Sequence, residues 1–252
     1  MLRSGKAPAK LGAIGILKRV FKRLREAFPK AKLRARLDGG YAYPEMFDYL
    51  EGERVEYIIA MAGNSILDAH AEPWMKRARR LSAHSAQTEH VYGECRYAAK
   101  SWSRERRVII KAEVVCIEAR EPRDNARFVV TNLSAGPKHL YENVYCQRGE
   151  IENRIKELFD VSLDRTSCTR FCANQLRVLL AAAAYVLMQE LRLAARGTAW
   201  ARAQVSTLRL DLLKIGVQVI ASVRRLVLRL PATFPYRDGW RSIALNCGAV
   251  LG

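Results

Sequence analysis

The thirty residues from 32 to 61 constrain the fold most. Lys32-Leu33-Arg34-Ala35-Arg36-Leu37 alternates with period two, as a half-buried strand does, and it stops at Asp38-Gly39-Gly40. Pro44 to Leu50 reads as a short helix, and Val55 to Met61 as a buried strand. Strand, helix and strand joined by links this short predict a mostly parallel α/β layer. A carboxylate at a strand's end beside two glycines fits a cleft edge, although a lone Asp-Gly is more often only a turn.

The flanks extend that layer. Upstream, Ile14, Leu17, Phe21, Leu24 and Phe28 recur at helical spacing, with Lys18, Arg19, Lys22, Arg23 and Arg25 between them and Pro29 as the stop. The pattern predicts an amphipathic helix whose apolar side covers a sheet; a DNA-facing or membrane-lying helix carries the same signature. Downstream, His90 to Tyr97, Arg106 to Ile117 and Arg127 to Asn132 are short runs rich in Val, Ile and Tyr. Polar turns separate them, Glu121 to Asn125 among these, so an antiparallel unit is expected. Two long helices follow, Tyr141 to Phe159 and Thr169 to Arg196, the second apolar nearly all round and expected to lie buried at the centre. Val217 to Ile220 and Leu226 to Leu230 read as strands, stopped by Pro231. Three segments result: 1–79, the β-rich 80–137, and 138–252.

Charge narrows the partners. The chain holds 43 Lys and Arg against 25 Asp and Glu, a net +18, and its first 37 residues hold twelve basic residues and one acid, Glu26. An excess of this size favours a polyanion, either nucleic acid or an acidic membrane. The longest uncharged apolar run, Val178 to Met188, has eleven residues. A bilayer span needs about twenty, so no membrane span is expected. Leu11 to Leu17 is too short for a secretory leader. The six cysteines form no CxxC pair, and Cys168 and Cys172 lack a second ligand pair at zinc spacing. Structural thiols in a reducing, cytoplasmic setting are expected. The four histidines are scattered and read as surface or turn residues.

Chemistry concentrates between Tyr145 and Glu157. On one continuous helix Tyr145, Arg148, Glu152 and Lys156, spaced by 3, 4 and 4 residues, would share a face. Spacing alone describes a solvated stripe of i,i+4 pairs just as well.

That stretch resembles the Y-x-x-R-x-x-x-E signature of the DDE transposases of bacterial insertion sequences, in which the Glu is the third catalytic acid. Arg34 to Tyr41 (RARLDGGY) resembles the strand end bearing the second acid. Ser103 to Val114 (SRERRVIIKAEV) with Phe128 to Asn132 (FVVTN) resembles the β insertion between the second and third acids. Leu212 to Leu230 resembles the segment after the catalytic helix, so the likeness spans the chain from about residue 13.

The resemblance implies an α/β, ribonuclease H-like core with an antiparallel β insertion and long C-terminal helices. It implies two Mg²⁺ or Mn²⁺ ions that drive phosphoryl transfer at transposon ends, the cut-and-paste reaction. By position Asp38 and Glu152 become catalytic metal ligands, while Tyr145, Arg148 and Lys156 contact DNA phosphate. DNA is the implied partner, and a pair of subunits is implied on two transposon ends. The chain departs from the pattern in two places. Phe159 stands where many relatives have a Lys seven residues after the Glu, which leaves Lys156 to take that contact. No Asp precedes Asp38, so the first catalytic acid is missing. The expectation is therefore a partial core, truncated at its N-terminus and defective by itself. The alternative is a non-catalytic, DNA-binding transposase remnant, and a third class is membrane attachment through residues 13–28.

Overall fold

In a computed structural model, which describes residues 5–163 and 168–249, the two strands expected around Asp38 pair in parallel. They are β1 (Arg34–Leu37) and β2 (Glu56–Met61), with Leu37 opposite Ile59. Between them runs α2 (Pro44–Gly52), opened by Pro44 and burying Met46, Phe47 and Leu50. Helix α1 (Ala13–Ala27) precedes them. It buries Ala13 and Phe21 and packs Ile14, Leu17 and Leu24 on the same core, which is the sheet-covering role expected of it.

The expected antiparallel strands are present: β3 (Glu89–Tyr97), β4 (Arg106–Val115) and β5 (Arg123–Thr131). They continue the same sheet, because β5 pairs with β2, giving the order β1-β2-β5-β4-β3. The layer is therefore mixed rather than mostly parallel, with β1–β2 its parallel pair among the described residues. β5 starts inside the residues expected as a turn. Their polar side chains have partners there: Asp124 takes Arg79 at 2.6 Å, and Asn125 donates to Glu113 at 2.7 Å. Alternation divides the sheet's two faces. Tyr57, Ile59, Val108, Ile110 and Val130 belong to the large core with α1 and α2, whereas Ile58, Ile109 and Val129 meet Leu140 and Tyr141.

Helix α3 (Ser65–Ser85) fills a stretch that carries no assignment in the sequence reading. Asn64 caps it, its side-chain oxygen accepting from Ile66 N at 3.1 Å and Leu67 N at 3.0 Å. Leu67, Ala71, Met75, Ala78 and Ser82 form its buried stripe, and Pro73 falls on the exposed side. Trp74 lies so close to β3 that a Cβ on Gly93 would sit 2.1 Å from the indole.

The chain divides into two compact bodies, Gly5–Gly149 and the residues from Glu150 onward. The described part of the second holds α5 (Gly149–Leu158), a π-helical turn Phe159–Leu163, α6 (Phe171–Ala194), α7 (Val205–Leu208), β6 (Gln218–Ala221), β7 (Leu226–Arg229) and α8 (Arg237–Asn246). β6 and β7, both expected as strands, pair antiparallel. The core is small, built on Met188, Ala195, Trp200, Val205, Leu208, Leu212 and Ile243.

Two expectations about α6 are corrected. It is not a buried central helix: Asn174, Ala181 and Met188 are covered, while Leu176, Leu179, Leu180, Val186 and Leu187 are each more than half exposed. The covered positions are seven apart and trace one narrow stripe, so this body touches one side of the helix only. The length argument against a membrane span also fails. At 24 residues α6 is long and apolar enough to cross a bilayer by length and composition, criteria that core helices also meet. Isolated charges such as Arg177 and Glu190 interrupt the uncharged run without ending the helix.

Candidate functional site

Asp38 follows β1 directly and begins the 3-10 turn Gly39–Tyr41. Its backbone is extended, and its Oδ1 accepts the Gly40 N–H at 2.9 Å, the Asx geometry that ends a strand and opens a turn. The space beside it is tight: a Cβ on Gly40 would stand 3.1 Å from Asp38 Oδ1 and 3.2 Å from the Ala9 Cβ. Asp38 is half-buried. It lies at the carboxyl end of a parallel pair, the end at which α/β sheets hold ligands.

Arg36, two residues before Asp38 on the same face of the strand, reaches across the sheet surface and donates to the Val144 carbonyl at 2.8 Å. Tyr145 is the next residue, half-buried beside Ile58, Ile109 and Val129, with its ring 5.4 Å from Tyr141. The structure therefore brings the Tyr145 segment to the face of β1 that leads to Asp38. Tyr92 packs against Tyr141 with its ring tilted, 5.6 Å between centroids, and donates to Glu142 at 3.1 Å, with His90 Nε2 3.6 Å from the same carboxylate. Burial, then the Glu142 hydrogen bond and charge, push the Tyr92 phenol far up. Burial also pushes Tyr141 up, to about 12, against the opposing pull of Arg127.

The run that holds Tyr145, Arg148, Glu152 and Lys156 is not one regular α-helix. The short α4 (Pro137–His139) leads into a π-helical turn Leu140–Tyr145, then a 3-10 turn Cys146–Arg148, and regular α-helix begins only at Gly149. Residues per turn change twice along this run, so the 3, 4, 4 spacing does not by itself assign the four residues to one side. Tyr145 belongs to the first body; Glu152 and Lys156 belong to the second. The Arg148 side chain lies outside the described residues. Glu152 and Lys156 do share a side of α5, one turn apart, and both are exposed.

The buried acid of α5 is Glu157, which spacing did not single out. It takes hydrogen bonds from Arg192, from Arg154 at 2.9 Å and from the Tyr185 hydroxyl at 3.0 Å. Burial works to raise its carboxyl, but these donors outweigh burial and hold it below the ordinary carboxylate value. The helical spacing of Arg154 and Glu157 was readable; the distant Arg192 and Tyr185 had no sequence signal. Glu157 ties α5 to α6 and is a structural group.

Asp38 and Glu152 suit a hard divalent cation in kind, since both offer anionic oxygen and neither is enclosed. The hydrogen bond from Gly40 also orients Asp38 as supporting bonds orient metal ligands. Among the described residues no group of three or more His, Cys, Asp or Glu gathers closely enough to hold a metal ion. The fit is thus one of donor chemistry. Compared with known families, residues 1–247 match the family described as Transposase DDE domain group 1. No curated protein matches the chain significantly.

Proposed function

Because the chain belongs to the Transposase DDE domain group 1 family, we propose that it carries part of a metal-dependent site for cut-and-paste DNA transposition, with Asp38 and Glu152 as carboxylate ligands. The observation that supports this most is the position of Asp38. It stands oriented at the carboxyl end of β1, with the Arg36–Val144 bond drawing the Tyr145 segment over the same sheet face. A divalent metal supplies charge neutralisation and an activated oxygen nucleophile for in-line phosphoryl transfer. The protein's own part is to hold Asp38 by the Gly40 N–H and to present Glu152 and Lys156 from one side of α5. Tyr145, Arg148 and Lys156 then serve as phosphate contacts, the guanidinium by paired charge-assisted bonds.

Asp38 and Glu152 stand in this reading for two of the three carboxylates of the family pattern, and strand cleavage by these two alone is expected to be slow. A second reading, non-catalytic DNA binding, is supported by the net charge of +18. Calorimetric titration with Mn²⁺ separates the two, comparing the chain with Asp38→Ala and Glu152→Ala. Heat lost in both variants and kept in Glu53→Ala supports one shared metal site. Unchanged binding in either aspartate or glutamate variant overturns the ligand assignment and leaves the DNA-binding reading.

A further inference from the structure

The net charge of the first body has one source. Residues 38–149 hold sixteen Lys and Arg against sixteen Asp and Glu and are neutral, whereas residues 5–37 hold eleven against one. In the neutral part several cations meet acids: Arg79 pairs with Glu72 and Asp124, Arg106 with Glu51 and Asp48, Arg107 with Glu94. In helix α1, Arg25 pairs with Glu53, but the basic residues before it are arranged otherwise. Its buried stripe is spent on the core through Ala13, Phe21, Ile14, Leu17 and Leu24, which leaves Lys18, Arg19, Lys22 and Arg23 exposed on its outer side. Lys22 reaches Glu26 only at 4.0 Å, and Lys18 lies over the Tyr49 ring at 5.8 Å.

This helix departs from local helix rules at several points. Lys18 and Lys22, like Arg19 and Arg23, are like charges at i,i+4, a spacing that weakens helices. Its N-cap, Gly12, gives no side-chain bond, and its first turn has no acid. A helix that keeps such features while its core face is fully used points to a partner for the outer face. The partner must be a polyanion with regularly spaced charge. Rows one turn apart stand about 6 Å from each other along the axis, close to the rise over two phosphates of one DNA strand, about 3.4 Å each.

We propose that the outer face of α1 is a docking surface for the phosphate backbone of duplex DNA, independent of base sequence and of metal. A membrane-lying helix needs a broad apolar face for lipid; in α1 that stripe is packed against the body's own core, and Ile16 and Val20 are the large apolar residues of the helix left exposed. The surface needs neither Asp38 nor a cation, so it stands or falls apart from the phosphoryl-transfer reading.

The test is fluorescence anisotropy of a 20-base-pair duplex of arbitrary sequence with the full chain, in EDTA, over a salt series. One variant carries Lys18→Gln, Arg19→Gln, Lys22→Gln and Arg23→Gln. A control removes the same charge elsewhere on the body through Lys76→Gln, Arg77→Gln, Arg80→Gln and Lys100→Gln. Each lost phosphate contact lowers the salt slope by about 0.9, so the α1 variant is expected to lose about three to four of slope and bind about tenfold or more weakly at 0.1 M salt. The control is expected to keep both. Equal loss in the two variants, or none in the α1 variant, overturns the proposal. So does an α1 variant that keeps DNA affinity but no longer floats with phosphatidylserine vesicles. Melting of the α1 variant should be unchanged or higher, since repulsion is relieved. If it falls, Arg19→Gln with Arg23→Gln alone must still remove about 1.8 of slope.

Discussion

Arg106→Met removes a guanidinium from a confined place while keeping an unbranched chain of similar reach. Its Nε donates to Glu51 Oε1 at 2.9 Å, and its Nη2 to Glu51 Oε2 at 2.9 Å and Asp48 Oδ1 at 2.6 Å. The side chain is 2% exposed and lies over the Phe47 and Trp102 rings at 5.0 and 5.3 Å. Removing one partner of a buried ion pair costs about 3–5 kcal/mol, because the other charge stays behind. Two features place this case at the lower end. Glu51 keeps the Tyr57 hydroxyl at 2.7 Å and Arg104 at 2.5 Å, and Asp48 is exposed enough to regain water. A loss of about 3 kcal/mol corresponds to roughly a hundredfold change in the opening equilibrium. Hydrogen–deuterium exchange of peptides from β2, β4 and β5 reads this body by itself. The pH dependence follows from Glu51. Burial works to raise its carboxyl, but the hydrogen bonds from Arg106, Tyr57 and Arg104 outweigh burial and hold it below the ordinary value of 4.5. A depressed carboxyl stabilises the fold above the unfolded pKa, and that contribution is lost as pH falls through the folded value. The gap between wild type and variant is therefore widest near neutrality and narrows below about pH 4.5. An exchange change under about threefold at pH 7, or a gap that widens in acid, refutes the reasoning.

Three further expectations follow from local geometry. Gly93→Ala drives a Cβ to 2.1 Å from the Trp74 indole and should lower stability by about 1–3 kcal/mol in thermal melts, with partial recovery when Trp74→Leu is added. Recovery absent from the double variant means the clash is not the cause. Glu157→Gln should destabilise the second body by about 2–3 kcal/mol at pH 7, since Arg192 loses a charged acceptor. The difference should narrow as pH falls below about 4.5 and through the lower folded value of this carboxyl, and exchange of α6 amides checks it. Tyr141→Phe should remove one phenol titrating near 12 in absorbance at alkaline pH. Because that value is raised above 10.0, wild-type stability should be full below pH 10 and fall as pH rises toward 12, less so in the variant.

The elements around Asp38 were legible because each carries its own local signal. Period two marked β1, Pro44 marked the start of α2, and the 3.6 period marked α1. Helix α3 escaped because Pro73 sits inside it and reads as a breaker, although only its exposed side is affected. The start of β5 escaped because Asp124 and Asn125 are turn residues until distant Arg79 and Glu113 pair with them. At the candidate site one assumption did not hold. Regular helical spacing was assumed from Tyr145 onward, and the backbone there winds as π-helix, then 3-10, before α5 begins. Such winding depends on how Tyr141 and Val144 settle on the sheet, a contact between residues far apart in the chain. The polarity of Arg106 gave no hint of burial either, since its partners Asp48 and Glu51 lie more than fifty residues upstream.

The pairing of β2 with β5 carries a consequence in time. Ile58 faces Thr131, so the strand that closes the inner edge of β2 is synthesised 73 residues later. At about 5–20 residues per second, that is roughly 4–15 s of elongation. During it the nascent chain carries Tyr57, Ile58 and Ile59, all destined to be fully buried, beside an unpaired strand edge. Lys32, Arg34 and Arg36 alternate along the neighbouring strand, and charges in that position discourage pairing with other nascent chains. The sheet on whose edge pair Asp38 stands is thus completed late, and a ribosome that pauses before residue 131 leaves it open at β2.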